Sequence, residues 1–182
     1  MGDESDNDRF SKVVVPYLSE ALTLARWLTG NRADAEDVVQ EACLRAYKAI
    51  GGYSGGSARS WVLTIVRNTA HTWLKSRARA KLVAVDDLRD DELVLVERGG
   101  DMNCERVTTP EADMIAQADA ASLEAAIAGL PVDFREALVL RDVQGLGYRE
   151  ISEVTGVPVG TVMSRLARAR QHLIRSLKVR DA

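Results

Sequence analysis

The amino-acid sequence predicts an all-α protein made of two small helical domains joined by a flexible acidic linker. Apolar residues make up 46% of the 182 residues and aromatic residues only 5%, so Val, Leu, Ala and Ile must form most of any core. Apolar side chains recur at spacings of three and four residues on both sides of the linker, which is the period of a helix. No alternating strand pattern competes with this period. Between the domains the periodicity fades and acidic residues gather.

The first domain is predicted at residues 10–82 as a bundle of three or four helices. One helix runs from about Phe10 to Leu28, and a second from about Ala33 to Ala49. Four glycines within Gly51–Gly56 disfavour regular structure and predict a flexible loop. A third helix follows from about Ala58 to Lys81. Helices of this length can bury a compact core.

The linker is predicted at residues 83–112 and the second domain at 113–180. Acidic residues repel one another, which favours an extended linker. Helical periodicity then resumes from about Pro110. The predicted helices are Pro110–Gly129, Pro131–Asp142, Tyr148–Thr155 and Val159–Val179.

The last two predicted helices form a helix-turn-helix. Gly156 can take the positive φ that ends the first of them, and Pro158 suits the first turn of the next. An apolar stripe follows, and a polar, basic face opposes it. The stripe contains Val162, Leu166, Ala169 and Leu173; the opposite face contains Thr161, Ser164, Arg165, Arg168 and Gln171. Such a second helix typically enters the DNA major groove.

The charge distribution indicates two contacts with a polyanion. The net charge of −3 would argue weakly against nucleic acid if it were uniform. However, residues 42–85 and 154–180 contain basic residues and no acid. Scattered solvent-exposed lysines would not explain two acid-free, arginine-rich blocks.

Two of the predicted helices carry further binding signals. The third helix interleaves Asn68, His71 and Trp73 with cations, an arrangement that suits single-stranded or melted nucleic acid. Acids at the start of the second helix favour its dipole. That explanation does not cover Gln40 and Glu41, which precede an apolar and basic stretch. This face is predicted to dock on a basic partner surface.

Several classes of protein are not supported by the sequence. The cysteines and histidines lack the spacing of a zinc site, and no nucleophile–base–acid set is evident. We therefore expect no metal, no cofactor and no enzymatic activity. No apolar run approaches the roughly 20 residues of a membrane span, and no secretory signal is evident. A cytoplasmic protein without membrane insertion is expected.

These motifs together resemble those of an extracytoplasmic-function (ECF, group IV) sigma factor of bacterial RNA polymerase. The matching stretches are LTGNRADAEDVVQEACLRAYKAI, SWVLTIVRNTAHTWLKSRAR and LPVDFREALVLRDVQGLGYREISEVTGVPVGTVMSRLARAR. In this family's order they correspond to region 2 and region 4, and they cover most of residues 10–178. The resemblance implies a protein that directs promoter-specific initiation and is controlled by an anti-sigma factor.

The resemblance also assigns roles to residues of this chain. Region 2 is expected to bind the clamp of the largest polymerase subunit through Asp37, Gln40, Glu41 and Arg45. It is expected to recognise and melt the −10 element through Tyr53, Ser57, Trp61, Arg67, Asn68, His71 and Lys75. Region 4 is expected to recognise the −35 element through Thr161, Met163, Ser164, Arg165, Ala167, Arg168 and Arg170. The flap of the second-largest polymerase subunit is a further expected partner surface.

Two alternatives compete with the resemblance, and the sequence gives the second of them no support. One is an ordinary helix-turn-helix regulator with a ligand-sensing first domain, which would protect DNA from cleavage without polymerase. The other is an enzyme, which would need a catalytic set of residues. Run-off transcription with core polymerase separates both from a sigma factor.

Overall fold

The computed structural model of the chain describes residues 3–87 and 120–178, and these ranges contain helices and turns but no strand. The first range contains α1 (Asp3–Val13), α2 (Leu18–Thr29), α3 (Arg32–Ala49) and α4 (Ala58–Asp87), with 3-10 turns at Val15–Tyr17 and Ile50–Gly52. The second contains α5 (120–128), α6 (Val132–Leu138), a π-helical turn (Val139–Val143), α7 (Tyr148–Thr155) and α8 (Val159–Lys178). The all-α prediction is confirmed.

The prediction of one continuous helix from Phe10 to Leu28 was wrong. The structure divides this segment at Pro16, which lies in the 3-10 turn between α1 and α2. A proline inside a helix removes one backbone donor and its ring clashes with the preceding turn. The 3-10 turn accommodates Pro16 near its start, where a backbone N–H is not needed.

The junction between α2 and α3 follows from two residues. Gly30 ends α2 with φ of +87°, a conformation that glycine adopts at little cost. Asn31 then caps α3, because its side chain accepts a hydrogen bond from the backbone N–H of Asp34 at 2.8 Å. This tight corner holds α3 beside α2.

The helix α4 extends further than its sequence pattern indicated. It continues to Asp87, beyond the predicted end at Lys81 and into the predicted linker. Residues 88–119, which include the rest of that linker, lie outside the described residues. The domain limits 10–82, 83–112 and 113–180 stay predictions.

The helix-turn-helix is confirmed at α7 and α8. Gly156 ends α7 with φ of +71°. The carbonyl of Pro158 then accepts hydrogen bonds from the N–H groups of Thr161 and Val162 at 2.8 and 3.1 Å. The predicted apolar stripe is buried at Val162, Leu166 and Ala169, and Leu173 packs partly buried beside it.

The two domains pack against each other and share one apolar core. Within the first domain, α2, α3 and α4 bury side chains such as Leu24, Val38 and Leu63. The same cluster continues into the second domain through Leu146 and Ile151. A sequence pattern of two helical modules did not predict this docking. Among the described helices, none is long and apolar enough to cross a lipid bilayer.

Candidate partner and nucleic-acid interfaces

The residues predicted to bind polymerase form one exposed face of α3. Asp37, Gln40, Glu41 and Arg45 are all exposed. Their spacings of three and four residues place them on one side of the helix. The guanidinium of Arg45 lies 2.8 Å from a carboxylate oxygen of Glu41, so the two side chains form an exposed ion pair on this face.

Two apolar residues of the same helix were missed at the level of the sequence. Leu44 is 55% exposed and lies beside Glu41 and Arg45, and Tyr47 is 40% exposed. The ring of Tyr47 also contacts Phe10 of α1 edge-on, with ring centroids 5.5 Å apart. A large apolar side chain left in solvent within a charged face is typical of a protein–protein contact. The helical period could have identified Leu44, because Leu44 lies outside the spacing of the buried residues of α3.

The glycine loop before α4 is organised around two aromatic rings. The centroids of Tyr53 and Trp61 lie 5.1 Å apart, and the hydroxyl of Tyr53 donates to the carbonyl of Gly56 at 2.9 Å. Arg9 of α1 donates a hydrogen bond to the carbonyl of Tyr53. The hydroxyl of Ser57 accepts from the N–H of Ser60 at 3.1 Å, so Ser57 caps α4. The loop therefore lies fixed at the start of the predicted −10 helix.

Arg67 and His71, one turn apart on α4, bind the same acid of the second domain. The Nε of Arg67 lies 2.7 Å, and the Nε2 of His71 lies 2.9 Å, from Oε1 of Glu136. The side chain of Glu136 is 0% exposed and that of Arg67 only 18%. Two side chains predicted to bind DNA are thus engaged by a buried carboxylate on α6.

The ionisation of Glu136 depends on these partners. Burial alone would raise the pKa of Glu136, because an apolar interior disfavours a charged carboxylate. Hydrogen bonds from His71 and Arg67, together with the positive charge of Arg67, outweigh burial and lower the pKa of Glu136 below its ordinary value. Glu136 is therefore held as a carboxylate.

Further polar contacts join the two domains. Arg59 of α4 lies 2.6 Å from the carboxylate of Glu20 and donates to the carbonyl of Gln144 at 2.5 Å. The amide nitrogen of Gln144 in turn donates to the carbonyl of Glu20 at 2.7 Å. Arg135 donates to the carbonyl of Trp27 at 3.1 Å. The docking is therefore held at several points along α2 and α4.

Asn68 and Lys75 are the exposed members of the predicted −10 set on α4. The side-chain oxygen of Asn68 accepts from Arg67 at 3.2 Å, and the residue as a whole is exposed to solvent. An exposed amide can match the donor and acceptor of a base edge. Asn68 is thus available for base recognition, whereas Arg67 beside it is engaged by Glu136.

The predicted −35 residues lie along the outer side of α8. Met163, Ser164, Ala167, Arg168 and Arg170 are exposed, and Thr161 and Arg165 are half-buried. Arg165 lies 2.8 Å from Asp133, and Arg170 lies 2.9 Å from Asp142. Ion pairs with acids of the same domain hold these two guanidiniums in place, whereas Arg168 lies exposed between them.

The acids that bind the predicted DNA residues were not identified from the sequence. Glu136, Asp133 and Asp142 fall in or beside α6, which the sequence predicted only as a helix. Glu136 comes directly before the buried residues Ala137 and Leu138. An acidic residue next to an apolar run was the one sequence feature that could have indicated a buried carboxylate here. Its partners on α4 lie more than sixty positions away and could not be inferred from local pattern.

Comparison with known proteins identifies both domains. The family model "Sigma-70 region 2" matches residues 13–80, and the model "Sigma-70, region 4" matches residues 120–173. RNA polymerase sigma-H factor of Pseudomonas aeruginosa is 34% identical over 174 residues, which cover 95% of this chain and 88% of that protein. ECF RNA polymerase sigma-E factor of Escherichia coli K12 is 34% identical over 170 residues, which cover 92% and 86% of the two chains.

Solved structures share the fold. The sigma factor RpoE of Bartonella quintana, in complex with the anti-sigma factor NepR, superposes with a TM-score of 0.69 at 24% identity, over 93% of this chain and 97% of that one. CnrH in complex with the cytosolic domain of CnrY gives a TM-score of 0.59 at 23% identity, over 93% and 88% of the two chains. Both domain matches and the full-length relatives lead to one assignment: the chain belongs to the sigma-70 family of RNA polymerase sigma factors, in its extracytoplasmic-function group.

Proposed function

We propose that this sigma factor joins core RNA polymerase through α3 and brings two DNA-recognition helices, α4 and α8, to the −10 and −35 elements of a promoter. The main support is that three helices each present an exposed face. The side chains on each face suit the contact proposed for it, with polymerase, the −10 element or the −35 element. The face of α3 combines charge with an exposed Leu44, that of α4 presents Asn68, and that of α8 presents Arg168.

The polymerase contact is assigned to Asp37, Gln40, Glu41 and Arg45, with Leu44 added from the structure. The predicted binding surface is the clamp of the largest subunit. An apolar side chain surrounded by charged residues favours association, because its burial supplies affinity while the charges set orientation. The flap of the second-largest subunit is proposed as the contact of the second domain.

Promoter opening is assigned to the loop that contains Tyr53 and to the helix α4 that follows it. The ring pair Tyr53–Trp61 offers flat surfaces on which an unstacked base can lie. Asn68 offers the hydrogen-bonding amide, and Lys75 supplies charge for the backbone. This division of roles fits recognition of a melted strand rather than of duplex DNA.

Recognition of the −35 element is assigned to the outer face of α8. Arg168 is placed to contact a guanine edge or a phosphate, and the small side chains Ser164 and Ala167 allow the helix close to the groove. The ion pairs Arg165–Asp133 and Arg170–Asp142 must adjust if those guanidiniums are to contact phosphates.

We also propose that an anti-sigma protein controls this factor and that both act in the cytoplasm. Large apolar side chains are exposed on several elements and need a partner to cover them. They include Val15, Leu44, Val143, Met163 and Ile174. The similar fold of RpoE, solved with the anti-sigma factor NepR, supports the choice of partner.

The experiment that tests the proposal separates the three faces by their defects. Purified core polymerase is reconstituted with wild-type chain, Leu44→Ala, Asn68→Ala or Arg168→Ala. Core affinity, permanganate reactivity of −10 thymines and run-off transcription are then measured. We expect Leu44→Ala to weaken core binding, Asn68→Ala to reduce strand opening, and Arg168→Ala to reduce −35-dependent transcription. The same defect in all three variants would contradict the assignment of separate roles.

A further inference from the structure

The loop that the proposed function assigns to the −10 element is tied to α1 through Arg9. The guanidinium of Arg9 donates a hydrogen bond to the backbone carbonyl of Tyr53. It also lies over the ring of Tyr53, with its central carbon 5.9 Å from the ring centroid. A cation at this distance from an aromatic face is attracted to it. Arg9 therefore contacts both the backbone and the side chain of Tyr53.

The loop has little else to order it. Glycine occupies four of the six positions 51–56, and every residue of this run other than Tyr53 is exposed. Gly55 and Gly56 take φ of +103° and +95°. A glycine-rich backbone loses more conformational entropy on ordering than other sequences do. Contacts made by Tyr53 are therefore the means by which neighbouring elements can hold this run in place.

The position of Tyr53 sets the position of the ring pair. The centroid of its ring lies 5.1 Å from that of Trp61, and its hydroxyl donates to the carbonyl of Gly56 at 2.9 Å. A shift of Tyr53 would move one member of the ring pair and the turn at Gly56 together. Binding of an unstacked base is tighter when its stacking surfaces are already in place, because less order must be created on binding.

Helix α1 is itself anchored on the first domain. Phe10, next to Arg9, packs edge-on against Tyr47 of α3, with ring centroids 5.5 Å apart. Val14 is only 1% exposed, and its N–H donates to the carbonyl of Phe10 at 2.8 Å. Arg9 therefore extends from a helix turn whose position is fixed by packing.

We propose that Arg9 is a positioning residue for −10 recognition, which holds the ring pair Tyr53–Trp61 in the arrangement that accepts an unstacked base. Arg9 acts through Tyr53 and makes no base contact of its own. This inference rests on the proposed function, because it takes the loop as part of the −10 surface.

The test substitutes two cations of α1 in the full-length chain, assembled with core polymerase. Arg9→Met keeps an unbranched side chain of high helix propensity but removes the charge and the N–H donors. Lys12→Met is the matched control, because it removes the same charge from the same helix at a side chain that is 79% exposed. Arg9→Lys keeps the charge but loses the planar group that can donate and stack at once.

The first measurement is a ratio of two affinities, each obtained by fluorescence anisotropy. One probe is a fluorescein-labelled single strand with the −10 sequence of a promoter that the wild-type holoenzyme transcribes. The other is the same strand with abasic sites in place of the −10 bases. Both probes carry the same phosphates, so the ratio of their affinities reports base contacts rather than charge.

The expected changes follow from the strength of base stacking. Stacking of one base on an aromatic ring corresponds to about a fivefold to 150-fold gain in affinity. We expect Arg9→Met to lower the ratio by about fivefold and Arg9→Lys to lower it by about twofold. Lys12→Met should keep the wild-type ratio.

The second measurement examines the loop in the free chain, without DNA or polymerase. The N–H of Tyr53 donates to the carbonyl of Ile50 at 3.1 Å, so its hydrogen exchange reports whether the loop is held. We expect the amides of residues 50–57 to exchange faster in Arg9→Met than in Lys12→Met.

Three results would overturn the proposal. In the first, the loop amides of Arg9→Met exchange as they do in wild type. In the second, Arg9→Met keeps the wild-type ratio, even if both strands bind more weakly, since Arg9 would then act on phosphates. In the third, Lys12→Met lowers the ratio as much as Arg9→Met does.

Two controls keep the outcome decisive. If circular dichroism shows that Arg9→Met has lost helix content relative to Lys12→Met, the ratio of Arg9→Lys alone decides. A wild-type holoenzyme that binds the two strands equally would contradict the proposed role of the loop, and this inference with it. A wild-type holoenzyme that prefers the strand with bases, combined with an unchanged Arg9→Met, would contradict this inference alone.

Discussion

Arg67 and Glu136 form an ion pair between the two domains, with Nε of Arg67 2.7 Å from Oε1 of Glu136. The carboxylate is fully buried, and His71 contributes a second contact at 2.9 Å. Removing one partner of such a pair is costly, because the other is left charged without compensation. Loss of either partner should therefore destabilise the docked arrangement. The pair also covers part of α4.

The free energy of unfolding should depend on pH through the ionisation of Glu136. The pKa of Glu136 lies below its ordinary value of 4.5 in the folded chain, so its contribution is present above about pH 4.5 and is lost as pH falls through the folded-state pKa. We expect Glu136→Gln to lower the free energy of unfolding by about 1.5–3 kcal/mol near neutral pH. This difference should shrink as the solution is acidified below pH 4.5.

Urea unfolding followed by circular dichroism at several pH values measures this difference. Glu153→Gln, at an exposed acid of α7, serves as the control and should follow wild type at every pH. A Glu136→Gln deficit that stays constant, or grows, on acidification would show that the pair does not act as described.

Asn68→Ala should impair promoter opening without weakening the association with core polymerase. The side chain is exposed on α4 and lies outside the buried core, so we expect its loss to remove the proposed base contact rather than a folding contact. Permanganate footprinting of −10 thymines measures opening, and co-purification with core enzyme measures association. Thr72→Ala, exposed one turn further along α4, is the control and should open promoters as wild type does. Parallel loss of core binding in Asn68→Ala would place Asn68 in the wrong interface.

Arg168→Ala should reduce transcription mainly from promoters with an intact −35 element. A bidentate contact between arginine and guanine contributes about 1–3 kcal/mol of discrimination, which corresponds to roughly a fivefold to 150-fold loss. Run-off transcription on paired templates, with and without the −35 element, measures the effect. Arg175→Ala, near the end of α8, should lose little on either template. An equal loss for Arg168→Ala on both templates would mean that this residue does not recognise bases.

Substitutions at two leucines of the first domain should distinguish a loss of stability from a loss of core polymerase binding. Leu24 is fully buried, so Leu24→Ala should lower the free energy of unfolding by about 2–5 kcal/mol. Leu44 is 55% exposed, so Leu44→Ala should change it by no more than about 0.5 kcal/mol while weakening core association. Chemical denaturation and a pull-down with core enzyme give the two quantities. A Leu44→Ala variant as unstable as Leu24→Ala would remove the case for a binding face on α3.

The helices could be predicted because their signals are local. Val162, Leu166 and Ala169 repeat at helical spacing and are buried, and Gly156 takes the positive φ that the turn required. The same local reasoning failed at Pro16, where the apolar period continued across a residue that interrupts the helix. Propensity at one position overrode a periodicity that extended over several turns.

The site could be predicted only in part, because only the local pattern of each helix can be deduced from the sequence. Exposure of Arg168 follows from the period of its own helix. The period of α4 placed Asn68 only at the edge of a buried face, whereas the structure shows that it is exposed. The engagement of Arg67 by Glu136 does not follow from a local period, because it depends on how two domains dock and joins residues far apart in the chain. Charge blocks in the sequence indicated two basic surfaces, but they carried no information about an acid that would be buried against one of them.

The proposed function requires that this chain, bound to core RNA polymerase, selects transcription start sites. Run-off transcription from a promoter library, with transcript 5′ ends mapped by sequencing, measures this selection. We expect core enzyme plus this chain to start transcripts at a defined set of positions that share −10 and −35 elements. Start positions unchanged from those of core enzyme alone would contradict it.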